Sequence, residues 1–350
     1  MFGWREALTM GPLVSIVIPV FNAAAFVEEA VRSALAQTYR NIEVIVVDDG
    51  SQDDSLHVVE SIYDERLRVF SQINQGACVA RNRGIAEARG EYVKFLDSDD
   101  VLYPDAVAVQ VEQQMELGES EVVFGDFDFI DEQGNVFYQN SFDEKNYLST
   151  NQDLWFLKNW EMLITCPLHR RDYLMEHKGF DIRLRGGQES FLHLKLSLKG
   201  IKFVYRPHRI FGYRSHQSEG RISCQRMLIR PQINDLVYRN EAALKLIQDK
   251  YGADENELTM SMSQGYFDGA WGYFCDGKTA EGRYCLRRSL AIPHTHYPTL
   301  KKSKFIAKGY VFIGALIGYV NASKLMNWLI RILDLSKNES KNSKLQKVLN

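Results

Sequence analysis

Asp97-Ser98-Asp99-Asp100 places three carboxylates within four positions, directly after Glu91-Tyr92-Val93-Lys94-Phe95-Leu96, a run that reads as a buried strand. Carboxylates crowded at a strand end repel one another, and a divalent cation carrying phosphate is the usual reason for them to be there. Mg²⁺ and Mn²⁺ prefer carboxylate oxygens, and Mg²⁺ is commonly held by one or two carboxylates plus substrate phosphates. A second reading is open at this point. The tetrad can be an acidic turn capping a helix that starts near Tyr103-Pro104, since Asp suits an N-cap and Pro a first helical position. A second acidic pair, Asp48-Asp49, ends another apolar run.

The elements that must position these groups follow from hydrophobic patterning. Val14 to Val20 is a β-branched run containing a proline and reads as a first strand. Ala24 to Gln37 has helical spacing, with Phe26, Ala30, Val31, Ala34 and Leu35 on one face. Ile42 to Val47 is a second strand, Asp53-Asp54-Ser55 caps a further helix, and Arg68-Val69-Phe70 is a short third strand. Ala77 to Arg89 is helical, with Gly90 expected as its left-handed cap. Glu91 to Leu96 is then a fourth strand. Alternation of helices with fully apolar strands predicts a parallel sheet covered on both faces, with ligands bound beyond the carboxyl ends of its strands. Both acidic clusters sit at those ends. Further on, Ala106 to Leu117 reads as a helix, Glu121 to Ile130 and Val136 to Tyr138 as a hairpin, Leu192 to Leu198 as a helix stopped by Gly200, and Ile201 to Tyr205 as a strand. From about Arg226 onward the pattern is mainly helical.

The chain has 350 residues, 45% hydrophobic and 25% charged, the composition of an ordinary globular protein. Its net charge of −3 predicts no general affinity for nucleic acid. Residues 281–350 carry 13 Lys and Arg against 3 Asp and Glu, so the preceding 280 residues carry −13. A basic tail on an acidic body suggests an anionic surface as partner, lipid first. Five cysteines, an odd number without CxxC spacing, fit neither a disulfide framework nor a zinc site and suggest a reducing, cytoplasmic compartment. No signal-peptide pattern opens the sequence, and no apolar run reaches the roughly 18 residues that span a bilayer.

Six landmarks stand in one order: Val14 to Asn22, Gln37-Thr38-Tyr39, Glu43 to Ser51, Asn74-Gln75-Gly76, Ala80-Arg81-Asn82-Arg83-Gly84 and Leu96 to Asp100. Together they resemble the family 2 glycosyltransferases, inverting enzymes of the GT-A fold. The likeness is dense over residues 13–105 and patchy to about 225. It implies an α/β protein with a Rossmann-like, mostly parallel central sheet and helices on both faces, to which the patterning beyond residue 225 adds a helical C-terminal region. It implies a nucleotide-sugar donor, UDP-linked for preference, and Mn²⁺ or Mg²⁺ as cofactor. By position, Asp49 resembles the acid that accepts hydrogen bonds from the base. Pro19, Phe21 and Asn22 belong to the same pocket, and Arg81 approaches base or diphosphate or else forms a surface ion pair. Asp97, with Ser98 beside it, resembles the residue facing ribose and metal. Asp99 resembles the metal ligand bridging both phosphates, and Asp100 is either a further ligand or a helix cap.

Inversion needs a carboxylate to deprotonate the acceptor hydroxyl. The family usually places it in a Glu-Asp pair opening a helix some 90 residues beyond the tetrad; here Gln188-Glu189 stands there. Glu189 is therefore the expected base, against the alternative of a first-turn residue favoured by the helix dipole. Tyr213-Arg214-Ser215-His216-Gln217-Ser218 resembles the family's Arg-x-His-x-x-Ser ending to the core, which makes His216 a metal or diphosphate ligand and Arg214 and Arg221 further diphosphate candidates. Trp155, Phe156 and Trp160 form either an acceptor platform or core packing.

The expected organisation is an N-terminal extension (1–12) and a catalytic domain (13–225) with a nucleotide half (13–105) and an acceptor half (106–225). A helical region (226–335) and a polar basic tail (336–350) follow. Basic residues flanking apolar and aromatic ones between Lys301 and Leu333 fit a helix lying in a membrane interface, or a helical subdomain packed on the core or on a second copy of the chain. The expected activity is transfer to a glycan or lipid-linked acceptor in surface polysaccharide or lipopolysaccharide assembly. A catalytically silent nucleotide-sugar-binding relative and a nucleotidyltransferase are the alternatives.

Overall fold

The computed structural model describes residues 11–158, 162–216, 233–252, 258, 262, 266 and 279–291. Trp160, Arg221, Cys224, Cys275, the segment 301–333 and the tail lie outside the described residues. The chain divides into two compact units between Leu246 and Ile247.

In the first unit β1 (Val14–Val20), α1 (Val27–Leu35), β2 (Ile42–Asp48), α2 (Ser55–Glu60), β3 (Leu67–Ser71), α3 (Ala77–Glu87) and β4 (Tyr92–Phe95) follow in turn. Next come β5 (Val101–Leu102), α4 (Ala106–Met115), β6 (Glu121–Ile130), β7 (Val136–Asn140), α5 (Glu144–Ser149), α6 (Gln152–Lys158), β8 (His169–Arg170), α7 (Arg171–Glu176), α8 (Gln188–Leu198) and β9 (Lys202–Arg214). A first sheet runs β3-β2-β1-β4-β8, parallel except for β8. Every residue of β1 and β2 is buried, as a sheet covered on both faces requires. The chain steps outward from β1 to β3 and returns to place β4 on the other side of β1. The crevice where the order reverses therefore opens beyond Val20 and Phe95. A second sheet, β5-β9-β6-β7, sets β9 parallel to β6 and carries the predicted hairpin.

Three local expectations are corrected. Gly90 is not a left-handed cap: α3 ends with Ala88 in extended conformation, and Gly90 is absent from the positive-φ glycines. Its hydrogen-only side chain serves close approach instead, because a Cβ there would lie 2.6 Å from the Leu13 carbonyl oxygen and 2.7 Å from the Ser15 nitrogen. Asp54 holds the N-cap position of α2 without a side-chain cap bond. Asp53 supplies the contacts, accepting from the Ser55 and Ala24 amides at 3.0 Å each. The strand predicted at Ile201 to Tyr205 continues to Arg214, because β6 offers it a partner along that length.

At the edge of the first sheet, His169 on β8 and His193 on α8 stack with ring centroids 5.6 Å apart, both buried, among Phe95, Phe156 and Phe203. None of their four ring nitrogens has a hydrogen-bond partner among the described residues. Burial pushes His193 down to about 4 and His169 well below its ordinary value. Both rings are neutral in the folded state at pH 7, and the unfolded chain takes up protons below about 6.5. Stability is therefore present above that value and lost as pH falls toward 4, by about 3 kcal/mol from His193. Urea midpoints measured from pH 7 to pH 4.5 should fall steeply, and less steeply in His193→Leu; equal slopes would refute the assignment.

In the described part of the second unit, α10 (Thr279–Ala291) follows α9 (Ile233–Tyr251), a helix that crosses the division between the units. Leu258, Met262, Tyr266, Cys285 and Leu286 are buried, and the Arg288 guanidinium lies 5.9 Å from the Tyr266 ring.

Candidate active site

A cleft of about 740 Å³ lies at the crevice between β1 and β4. Pro19, Phe21, Asn22, Asp49, Arg81, Asp97, Ser98, Asp99, Glu189 and His216 all line it. Elements separated by up to about two hundred residues thus converge, with the turn after β4 on one side and the start of α8 on the other.

Asp49 is 3% exposed and shapes the cleft's far wall. One of its oxygens accepts from the Gln75 amide at 2.9 Å and the Gln72 side chain at 2.8 Å. The other accepts from the Gly76 amide at 2.7 Å. Gly76 has φ +94°, a conformation that glycine adopts without strain, and its amide turns toward the carboxylate at the start of α3. Asn22 also has positive φ, +51°; its side-chain oxygen accepts from the Gln52 amide at 2.7 Å, tying the end of β1 to the loop after β2.

Arg81, on α3, is 4% exposed and bridges the two sides. Its Nη2 donates to Asp97 Oδ1 at 2.6 Å and its Nη1 to Gln188 Oε1 at 2.9 Å, while the Phe180 ring lies 5.4 Å away. Its Nε has no hydrogen-bond partner among the described residues. Burial opposes its charge, yet Asp97 and Glu189 hold its affinity for the proton above the ordinary value. Burial raises the Asp97 carboxyl above the usual carboxylate range against the pull of Arg81, and Asp99 and Glu189 push the same way as burial. Arg81 is thus no surface ion pair. Gln188, whose amide also donates to the Leu184 and Arg185 carbonyls, joins it to the first turn of α8. Glu189 follows in that turn, adjoining the cleft.

Asp99 Oδ2 lies 2.9 Å from His216 Nε2, and the His216 ring packs on Phe26 at 4.5 Å. Asp100 is not the cap of α4, whose N-cap position is Asp105. It accepts from the Arg214 amide at 2.9 Å and fastens the tetrad to the end of β9. Arg214 is fully buried and does not line the cleft. It donates to the carbonyls of Asp99 (2.9 Å), Asp131 (3.1 Å) and Glu132 (2.7 Å) and pairs with Glu29 at 2.5 Å. Trp155 and Phe156 are 1% and 3% exposed and pack with Phe142, Tyr147 and Phe203, so they are core and not a platform. Tyr213, Arg185 and Leu184 line the cleft unforeseen; only Tyr213 carried a signal, its place just before Arg-x-His.

The carboxylates and imidazole suit a hard divalent cation. Among the described residues no three His, Cys, Asp or Glu stand together as a closed cage. Asp99 and His216, with Asp97 nearby, fit an ion whose remaining ligands come from substrate phosphates. No helix among the described residues is long and apolar enough to cross a membrane.

Residues 15–178 match the sequence profile of glycosyl transferase family 2. They are a family 2 glycosyltransferase domain. An uncharacterised glycosyltransferase of Rickettsia conorii is 44% identical over 125 residues, covering 35% of this chain and 21% of the relative. One of Haemophilus influenzae is 39% identical over 127 residues, covering 35% of this chain and 50% of the relative. The matches thus span half or less of these relatives. The crystal structure of S. aureus TarS 1–349 in complex with UDP-GlcNAc superposes with a TM-score of 0.64 at 18% identity, over 89% of both chains. The glycosyltransferase domain therefore has the GT-A fold.

Proposed function

We propose that the chain transfers a sugar, with inversion, from a UDP-linked donor to a hydroxyl of a glycan or lipid-linked acceptor. The observation that carries this reading is the placement of Glu189 in one cleft with Asp97, Asp99 and His216 at the sheet's switch point. Asp49, through the loop it fastens, and Pro19, Phe21 and Asn22 hold the base and ribose, with Asp97 and Ser98 on the ribose side. Arg81, held by Asp97 and Gln188 in the cleft wall, brings its positive charge to the diphosphate side. Asp99, His216 and Asp97 would hold Mg²⁺ or Mn²⁺, which would supply stabilisation of negative charge on the departing diphosphate. Glu189 takes the proton of the acceptor hydroxyl as its oxygen bonds to the anomeric carbon and the bond from that carbon to UDP breaks. The chemistry belongs to residues 13–225. A reducing, cytoplasmic setting suits the buried free thiols of Cys78 and Cys166 in that region. The basic C-terminal region supplies a peripheral contact with the membrane where surface polysaccharides are assembled.

UDP-GlcNAc, present in the TarS complex, is the first donor to try. Calorimetric titration with UDP should show binding that requires Mn²⁺ and is lost with EDTA. Asp99→Asn is expected to weaken the metal-dependent binding about tenfold or more, the loss of one charged contact. Equal UDP affinity with Mn²⁺ and with EDTA would remove the metal from the reading.

A further inference from the structure

The wall of the cleft contributed by Tyr213 continues outward as a row of aromatic rings. Tyr213 on β9 pairs in register with Phe129 on β6, and Phe129 with Tyr138 on β7. Residues opposite one another in neighbouring strands share a face, so the three rings line one side of the second sheet. Phe129 lies 5.5 Å from Tyr213 at 87° and 5.7 Å from Tyr138 at 56°. The register shift between Phe129 and Ile130 also brings Phe137 to 6.1 Å from Phe129. Behind this row Phe127 and Phe211 stack at 5.4 Å and are 5% and 0% exposed. Tyr138 and Phe137, on the sheet's edge strand, are each 47% exposed. The face is sealed at one end and open at the other.

We propose that this row is the acceptor subsite, and that its occupant is the sugar chain of the acceptor. The inference rests on the transferase reading above. The row begins at the cleft that holds Glu189, so a chain lying along it presents a hydroxyl to that cleft. Two strand spacings give it a reach of about 10 Å, that of a disaccharide. A pyranose ring has an apolar face of C–H groups that stacks on an aromatic ring packed on one side and open on the other, which is the condition of Tyr138. Asn140 shares the face two residues further along and supplies a neutral amide for sugar hydroxyls. Arg209, the cation at the Asn140 end of the row, is already paired with Asp128 at 3.0 Å and bonded to the Asn140 carbonyl, so the row favours a neutral sugar over a lipid phosphate.

The test uses the full chain on an array of bacterial oligosaccharides, with Mn²⁺-dependent UDP binding measured in parallel. Tyr138→Ala should weaken glycan capture about tenfold, the scale of one aromatic contact. Tyr138→Phe, which keeps the ring, should retain it, and UDP should bind all three proteins equally, showing that the donor cleft remains folded. Glycan capture unchanged in Tyr138→Ala would overturn the proposal, as would a wild-type chain that binds UDP but no oligosaccharide. A dimer that Tyr138→Ala converts to monomer without loss of capture would assign the strip to self-association and overturn it too. Capture through Tyr138 by a chain that binds no UDP would support the subsite and refute the donor reading.

Discussion

Glu189→Gln is expected to slow sugar transfer by about 10²–10⁴-fold, the usual worth of a general base, while the affinity for UDP stays unchanged. Gln preserves the size of the side chain and its place in the first turn of α8, so the change removes proton uptake and little else. The neighbour at 188 makes the result readable. In a Glu-Asp pair the first carboxylate complicates the titration of the second. Here Gln188 is neutral and its oxygen is held by Arg81 at 2.9 Å, leaving Glu189 as the acid of the pair. Single-turnover kinetics would separate chemistry from release. Transfer at the wild-type rate would assign Glu189 to helix stabilisation and return the proton to water or another group.

Arg81→Met is expected to destabilise the fold by about 1–3 kcal/mol, the cost of leaving the half-buried Asp97 carboxylate and the Gln188 oxygen without their buried donor. Methionine keeps a flexible side chain of similar reach but removes the guanidinium, and with it both hydrogen bonds and the contact with the Phe180 ring. Asp97 would then face Asp99 and Glu189 without the compensating guanidinium, and Gln188 would lose its donor. Adding Asp97→Asn should recover part of the stability, because an amide tolerates the site better than an unpaired carboxylate. The double variant should still bind UDP poorly. Urea unfolding at pH 7 reads both effects; a single variant as stable as wild type, or a second substitution that only adds damage, would contradict the pairing.

The first sheet was legible because β1, β2 and β4 are buried on both faces and therefore write largely apolar runs, interrupted by the buried Ser15, Glu43 and Lys94. Phe21, Asn22, Asp49, Asp97 and Asp99 were legible because they follow those runs at strand ends, whereas Leu184 and Arg185 stand in no such place. Pairings between distant segments were not. Arg81 and Gln188 are 107 positions apart, and neither type announces the other. Arg214 reads in sequence like a phosphate ligand; its burial depends on where the β6–β7 turn and α1 come to rest. Trp155 and Phe156 show the same limit, since an aromatic residue is platform or core according to what packs over it. Gly90 misled for a related reason: glycine after a helix usually signals a backbone angle, and here it answers the nearness of β1.

The grip of Arg214 on the hairpin turn has a consequence for how such proteins diversify. It holds Asp131 and Glu132 by main-chain carbonyls, which every amino acid possesses. The side chains of β7 can therefore drift under mutation without loosening the carboxylates behind them. With the acceptor subsite proposed above on that strand, a lineage can acquire a new taste in acceptors by rewriting one edge strand while the carboxylates stay in place.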